Sequence, residues 1–315
     1  MRKLLNKKLL VIGLLAASIA SVPAFAKVPA AEAEKLGKSL TVTGAEKAGN
    51  KDGSIPPYEG GITQAPSCYK GEFYVCDPFP EDKPVFTITP QNYQDHKKYL
   101  TAGHIAMLEK YSTFKMHVYP SRRSSAVPQI VAEETKLNAL NAELAEGGNG
   151  VQNLASWGYP FPIPQSGVEA IWNQIMRYRG TGAKRIFGQV TPQANGSFNM
   201  VLFEDVVAFR RSLTDIKPGE DDNVLFYFRQ QVKAPPRLAG NVLLVHETID
   251  QVKEPRRAWI YNAGQRRVRR APQVAYDGPG TAADGLRTAD NFDMYNGSPD
   301  RYDWKPQALR RAGRR

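Results

Sequence analysis

Histidine, cysteine and clustered carboxylates are the side chains that could carry out proton transfer, nucleophilic attack or metal binding, and this chain uses them sparingly. Its four histidines are His96, His104, His117 and His246. The first two stand eight residues apart, two helical turns, too far to share a metal unaided, and the other two fall in strand-like runs. No spacing typical of a zinc protease, a hydrolase nucleophile, a phosphate loop or a dinucleotide site occurs. Glu220, Asp221 and Asp222 could do acid–base work, but KPGEDDN has the composition of an exposed turn. Asp290, Asp293, Asp300 and Asp303 lack the spacing and glycine of a calcium loop, and read as turn organisers. Cys68 and Cys76 are the only cysteines. Two thiols do not make a closed zinc site, and in an oxidising compartment they are expected to bridge, stapling a small loop. No metal, cofactor or catalytic residue is expected.

Arginine is the remaining chemical resource. Arg266, Arg267, Arg269 and Arg270 follow Arg256 and Arg257 closely, and a guanidinium forks onto phosphate or carboxylate. This group reads either as a solvated strand edge facing the chain's own acids, or as a site for lipid phosphate, lipopolysaccharide or an acidic partner. Arg122 and Arg123 in YPSRRSS form a smaller second candidate. The formal charge of +11 does not argue for nucleic acid, because four cations lie before Ala26 and five after Trp304, leaving +2 for the body between.

The elements that must position these groups are strands. AKRIFGQV, SFNMVLFEDVVAFRR, NVLFYFRQQV, NVLLVHET and AWIYNAGQRRVRR, between Ala183 and Arg270, are rich in Val, Ile, Phe and Tyr, and turn or proline signals close each of them. Asn195-Gly196 predicts a tight hairpin with both residues at positive φ, hence an antiparallel sheet of sequence neighbours. The strands are apolar on both faces: Phe198, Met200 and Leu202 alternate with Val201 and Phe203. Such a sheet is expected to be covered twice, once by a helix and once by a helix or a greasy guest. Phe198, Met200, Leu202, Phe226, Phe228, Trp172, Trp259 and Tyr261 are the candidate apolar lining, with Trp157, Tyr159 and Phe161 nearby. Each of them could equally be ordinary core.

Residues 1–26 read as a secretory signal. Arg2, Lys3, Lys7 and Lys8 precede an apolar stretch, and Ala24-Phe25-Ala26 is a cleavage site of small residues, which places the mature protein outside the cytoplasm. Residues 27–87, poor in apolar periodicity and rich in Gly and Pro, form an arm that packs over the body or gates a cavity. Residues 88–304 form the α+β body. Within it a helix is predicted over Gln91–Tyr111, capped by Thr89, with Leu100, His104, Leu108 and Tyr111 on one face. FKMHVYP reads as a short strand. Ala132–Glu146 is expected as a helix burying Leu137, Leu140 and Leu144, stopped by Gly147-Gly148. Ser166 and Glu169 form a capping box for a helix carrying Val168, Ile171, Trp172, Ile175 and Met176 on one stripe, which is expected to cover the sheet.

WGYPFPIPQSGVEAIWNQIMRYRG (157–180) resembles an exported bacterial family, domain of unknown function 1329, whose members are often labelled outer-membrane lipoprotein-sorting proteins. KLGKSLTVTGAEKAGNKDGSIPPYEGG, YPSRRSSAVPQ, AWIYNAGQRRVRRAPQVAYDGPG and TADNFDMYNGSPDRYDWK carry the likeness over nearly all of residues 30–305. The resemblance implies a LolA/LolB-like fold: an incomplete barrel of curved antiparallel sheet with helices on its concave face around a hydrophobic cavity. It also implies a non-catalytic periplasmic role near the outer membrane. The partners implied are lipid or another hydrophobic ligand, and an RND-type exporter or outer-membrane protein. A sensor or scaffold that binds another envelope protein is the alternative. Family members continue past YDWK with further strands, whereas residues 305–315 turn to a basic string, PQALRRAGRR, that resembles a shifted reading frame.

Overall fold

The computed structural model describes residues 28–71, 76–155, 158–213, 223–271 and 274–306. The expected signal segment, Trp157, the Glu220–Asp222 cluster and residues 307–315 of the basic tail lie outside the described residues.

A single meander dominates. Strands β5 (Gly182–Pro192), β6 (Phe198–Phe209), β7 (Val224–Ala234), β8 (Val242–Thr248), β9 (Arg257–Asn262) and β10 (Arg267–Arg270) pair antiparallel in the order β10-β9-β8-β7-β6-β5. The sheet is curved and unclosed, with β5 and β10 as its edges, so the chain is α+β. Register shifts at Leu202/Phe203 and Val224/Phe226 add local bend. The last sequence run divides into two strands, because Arg266 takes a left-handed φ of 51° and Asn262 Oδ1 accepts the Gln265 N–H at 2.9 Å, making a turn. At Asn195-Gly196 only the glycine is left-handed (φ 85°). Gly196 N–H bonds Gln193 O at 3.0 Å, and Gln193 N–H bonds Ser197 O at 2.8 Å, so the hairpin uses a longer loop ending in glycine instead of a two-residue turn.

Among the described residues four α-helices accompany the sheet, with short strand pairs among them. These are α1 (Ala30–Ala33), β1 (Phe86–Ile88), α2 (Ala102–Lys110), β2 (Met116–Val118), α3 (Gln129–Asn141), β3 (Glu143–Leu144), β4 (Val151–Gln152) and α4 (Gly167–Ile175). β1 pairs with β2, and β3 with β4. α4 forms with half of the expected capping box: Ser166 Oγ accepts the Glu169 N–H, and Trp172 and Ile175 bury against Leu225, Phe226 and Ile249. The Glu169 carboxylate accepts from the Gln165 N–H, one residue before the cap. Trp304 lies so close over the first turn that a Cβ at Gly167 would meet its carbonyl oxygen at 2.4 Å. The YDWK motif therefore docks on α4.

Two helices differ from expectation. The run Gln91–Tyr111 breaks: Tyr93–Tyr99 is a 3₁₀ segment, and α2 starts afresh with Thr101 as cap in a reciprocal box with His104. α3 begins and ends earlier, and buries Val131, Thr135, Asn138 and Ala139 while Leu137 is exposed. The reason lies in what it packs against. Asn138 bonds the backbone of Ala155 and Tyr159, and Thr135 Oγ1 accepts the Tyr159 N–H, so the helix faces irregular chain whose polar groups need partners. Gly147 and Gly148, both left-handed, turn the chain between β3 and β4.

The N-terminal arm is tied to the body at several points: Ala33 and Leu36 pack on Ala139 of α3, Lys136 pairs with Glu34, and Ile62 N–H bonds Ser124 O. Arg123 donates to the carbonyls of Glu46 and Lys47 and stands over the Tyr58 ring, while Arg122 pairs with Asp82. Those two arginines are structural ties. Cys68 and Cys76 are disulfide-bonded, with Cα atoms 6.0 Å apart. No helix among the described residues is long and apolar enough to cross a membrane.

Candidate functional site

Pairing fixes which side chains share a face of the sheet. Arg185↔Asp205, Val207↔Phe228, Phe228↔Val245, Leu243↔Ile260 and Ile260↔Arg269 place these residues on the concave side. The odd-numbered residues of β6 therefore face inward. A cavity of about 850 Å³ opens there. Its floor is Val207 and Phe209 from β6, Phe226 and Phe228 from β7, Leu243 and Val245 from β8, and Ile260 from β9. Its far wall is irregular chain that includes Val274, Ala289 and Phe292. α4 packs against one end of this face only; the far wall, not a helix, stands over the rest.

The sequence candidates distribute as follows. Phe226 and Phe228 line the cavity. Trp172 does not: it is 0% exposed in the core behind Phe226, and its indole N–H donates to Gly148 O at 2.9 Å. Phe198, Met200 and Leu202 lie on the opposite, convex face, where Phe198 and Met200 are 63% and 58% exposed beside exposed Ile186 and Val190. This corner departs from the expectation of a sheet covered on both faces. Trp259 and Tyr261 also point outward, Trp259 closing an edge-on ring ladder with His246 and Tyr227. Of the arginine run, Arg269 and Arg270 line the cavity at the β10 edge, Arg267 is exposed outside the lining, and Arg266 occupies the turn.

Seven arginines line this cavity against two carboxylates, and four of them, Arg177, Arg179, Arg185 and Arg287, were not singled out from sequence. Arg177 and Arg179 share Asp293 at 2.6 and 2.5 Å. Asp293 and its neighbour Met294 are both left-handed (φ 57° and 71°), a strained backbone that aims the carboxylate at the pair. The Arg179 guanidinium stands 5.0 Å over Phe209 and 5.8 Å over Phe226. Burial opposes its charge and pushes its pKa down, Asp293 resists this, and the nearby Arg177 and Arg185 add to it. Arg185 bonds Asp205 Oδ2 at 3.0 Å and stands over Phe292 at 5.6 Å. Arg287 stands over the same ring at 5.4 Å and donates to Thr288 O and Gln189 Oε1. Its pKa is lowered by burial. Arg256, whose side chain is 4% exposed, lies 2.5 Å from Glu247 Oε2. The contact is ionic and lacks hydrogen-bond alignment, since Oε2 has no directed partner. Arg256 also donates to the carbonyls of Val274 and Asn296, holding the far wall.

Asp205 is the buried acid of the floor. Burial raises its pKa against the opposing pull of Gln230 and Arg185, and its Oδ1 has no partner. A carboxyl with a raised folded pKa contributes nothing unfavourable below the unfolded value and weakens the fold as pH rises through the folded value. Asp205→Asn is therefore expected to gain on the parent as pH rises from 4 to 8. Paired denaturation midpoints across that range check this; a gap that stays constant or shrinks contradicts it.

The described residues hold no group of three or more potential metal ligands. His96 stacks on Phe86, His104 caps α2, His117 bonds Thr87, and His246 lies in the outer ladder. Asp290 accepts from Thr288 and Tyr302, and Asp300 accepts from Tyr276.

Comparison with known proteins gives a relative and a structural match. The chain is 57% identical over 301 residues to an uncharacterized protein of Pseudomonas aeruginosa, an alignment that covers 95% of this chain and 66% of the relative's length. The chain thus spans just under two thirds of that relative. A crystal structure of a DUF1329 family protein from Desulfovibrio piger aligns over 39% of this chain and 44% of its own, at 17% identity and a TM-score of 0.27. A family model matches residues 87–309, which takes in the whole sheet, α4 and every arginine of the cavity, and so this chain belongs to DUF1329, a family of proteins of unknown function.

Proposed function

We propose that this protein is a non-catalytic carrier that shelters the apolar part of an amphiphile in the concavity of its sheet. It would work in the periplasm and pass its guest toward the outer membrane or an RND-type exporter. The observation that carries the reading is the hollow of about 850 Å³, floored by Phe226, Phe228, Leu243, Val245 and Ile260 and lined by seven arginines. That volume falls within the range of sites that enclose small organic ligands. An apolar tail of about ten methylenes gains roughly 8 kcal/mol on leaving water, and losses of freedom on binding reduce the net. Such binding is reversible, which suits a protein that must release what it holds.

Purification without detergent followed by native mass spectrometry tests this. A bound mass that organic solvent extracts is the expected result. Leu243→Trp, which fills the hollow from the start of β8, should reduce occupancy at least ~10-fold, since one blocked tail contact of about 1.4 kcal/mol already gives that factor. A clean apo mass that fails to take up added fatty acid or lysolipid overturns the proposal. A second reading, a scaffold that docks another envelope protein, is favoured by the exposed Ile186, Val190, Phe198 and Met200 beside the open edge of β5. It predicts an apo mass together with a stoichiometric protein complex.

A further inference from the structure

The arginines of the cavity are not equivalent, and their pairing narrows the guest. Arg177, Arg179 and Arg185 lie immediately before or on β5, and Arg287 reaches that strand through Gln189. These four cations at the β5 side meet two carboxylates, Asp293 and Asp205. One carboxylate serves two guanidiniums. Arg287 has only neutral oxygen partners among the described residues, although it is partly buried and shares the Phe292 ring with Arg185. On the Phe292 ring Arg185 is half exposed and paired with Asp205, while the part-buried Arg287 has no counter-charge among the described residues; the four cations together are two counter-charges short, which is unfavourable until an anion joins them. Across the floor, Arg269 and Arg270 are exposed on β10, where water already screens them.

We infer that the cavity recognises a phosphomonoester head carrying two negative charges. The head sits at the β5 side between Arg179, Arg185 and Arg287, and the tail runs over Phe228, Val245 and Ile260 toward β10. The inference deepens the carrier reading and rests on it. Two unmatched positive charges call for two negative ones. A phosphate supplies them at neutral pH with three strong acceptor oxygens, and forked guanidiniums match that geometry. The aromatic rings under Arg179, Arg185 and Arg287 hold the forks in place without neutralising them.

Titration of the full chain with three probes of one acyl length tests both levels: lysophosphatidic acid, the free fatty acid and the monoacylglycerol, with inorganic phosphate as a fourth. Lysophosphatidic acid should bind ~10–100-fold more tightly than the fatty acid, as one or two further charge-assisted hydrogen bonds imply, and the monoacylglycerol should bind weakest. Arg287→Gln should lower lysophosphatidic acid affinity ~10-fold or more and monoacylglycerol affinity by clearly less, with an unchanged circular dichroism spectrum and denaturation midpoint showing that the variant is folded. Arg287→Lys should restore part of the loss, and Arg269→Gln should have little effect. Equal binding of all three lipids leaves the carrier and overturns the head assignment. Failure of all three overturns the carrier reading itself. Inorganic phosphate binding as tightly as the lipid makes the site one for free phosphate and overturns the amphiphile. A loss confined to Arg269→Gln moves the head to the other edge and overturns its placement.

Discussion

Trp172→Ala should destabilise the folded chain by roughly 3–5 kcal/mol, the usual range for removing a buried large aromatic side chain. Trp172 is completely enclosed, touching the cluster that joins α4 to the start of β7 and to Ile249 at the end of β8. Its truncation leaves a cavity and strips the Gly148 carbonyl of its donor. Trp172→Phe separates the two effects, since it retains most of the packing and loses the hydrogen bond. It should cost about 1–3 kcal/mol for the unsatisfied carbonyl and the smaller ring. Chemical denaturation followed by circular dichroism measures both. A loss below about 1 kcal/mol for the alanine variant would show that α4 does not anchor this end of the sheet.

Glu247→Ala should be comparably damaging, about 3–5 kcal/mol, because it abandons the Arg256 guanidinium in a place nearly sealed from water. The consequence is not confined to β8. Arg256 also ties the carbonyls of Val274 and Asn296, so a displaced Arg256 frees the wall opposite the floor. Hydrogen exchange should rise in residues 274–306 more than in β5 and β6. Replacing both partners by apolar residues, Glu247→Leu with Arg256→Met, should recover much of the global stability while the wall stays loose. A buried pair is often dispensable as a pair, whereas its halves are not. Strict additivity of the two single losses would contradict the coupling.

Element positions along the sheet were readable because each strand is a β-branched and aromatic run closed by a turn, and α4 because its cap and stripe agree. The inward face was not readable. Phe198, Met200 and Leu202 look as greasy as Val201 and Phe203, and a period of two assigns both sets equally well until a partner strand chooses. Arg185 and Asp205, on the same side as Val201, mark the cavity, so a polar pair signals the hollow more reliably than the apolar alternation does. The densest arginine run gave the β10 edge, yet most of the cationic lining comes from segments distant in sequence. Arg177 and Arg179 do follow α4 directly in RYRG, a local hint; nothing near Arg287 announces its meeting with Phe292 and Gln189. α3 was misjudged because Leu137, Leu140 and Leu144 suggest an oily neighbour, whereas its actual neighbour is loop backbone that requires Thr135 and Asn138.

The meander has one further consequence, for the order of events. Every strand lies beside its successor in the chain, so the floor can assemble through a series of short closures. The Arg177–Asp293 contact instead spans 116 residues and must wait until that floor exists. What arrives last during folding can also leave first, so residues 274–296 are expected to detach ahead of the sheet on partial unfolding, without unpairing a single strand.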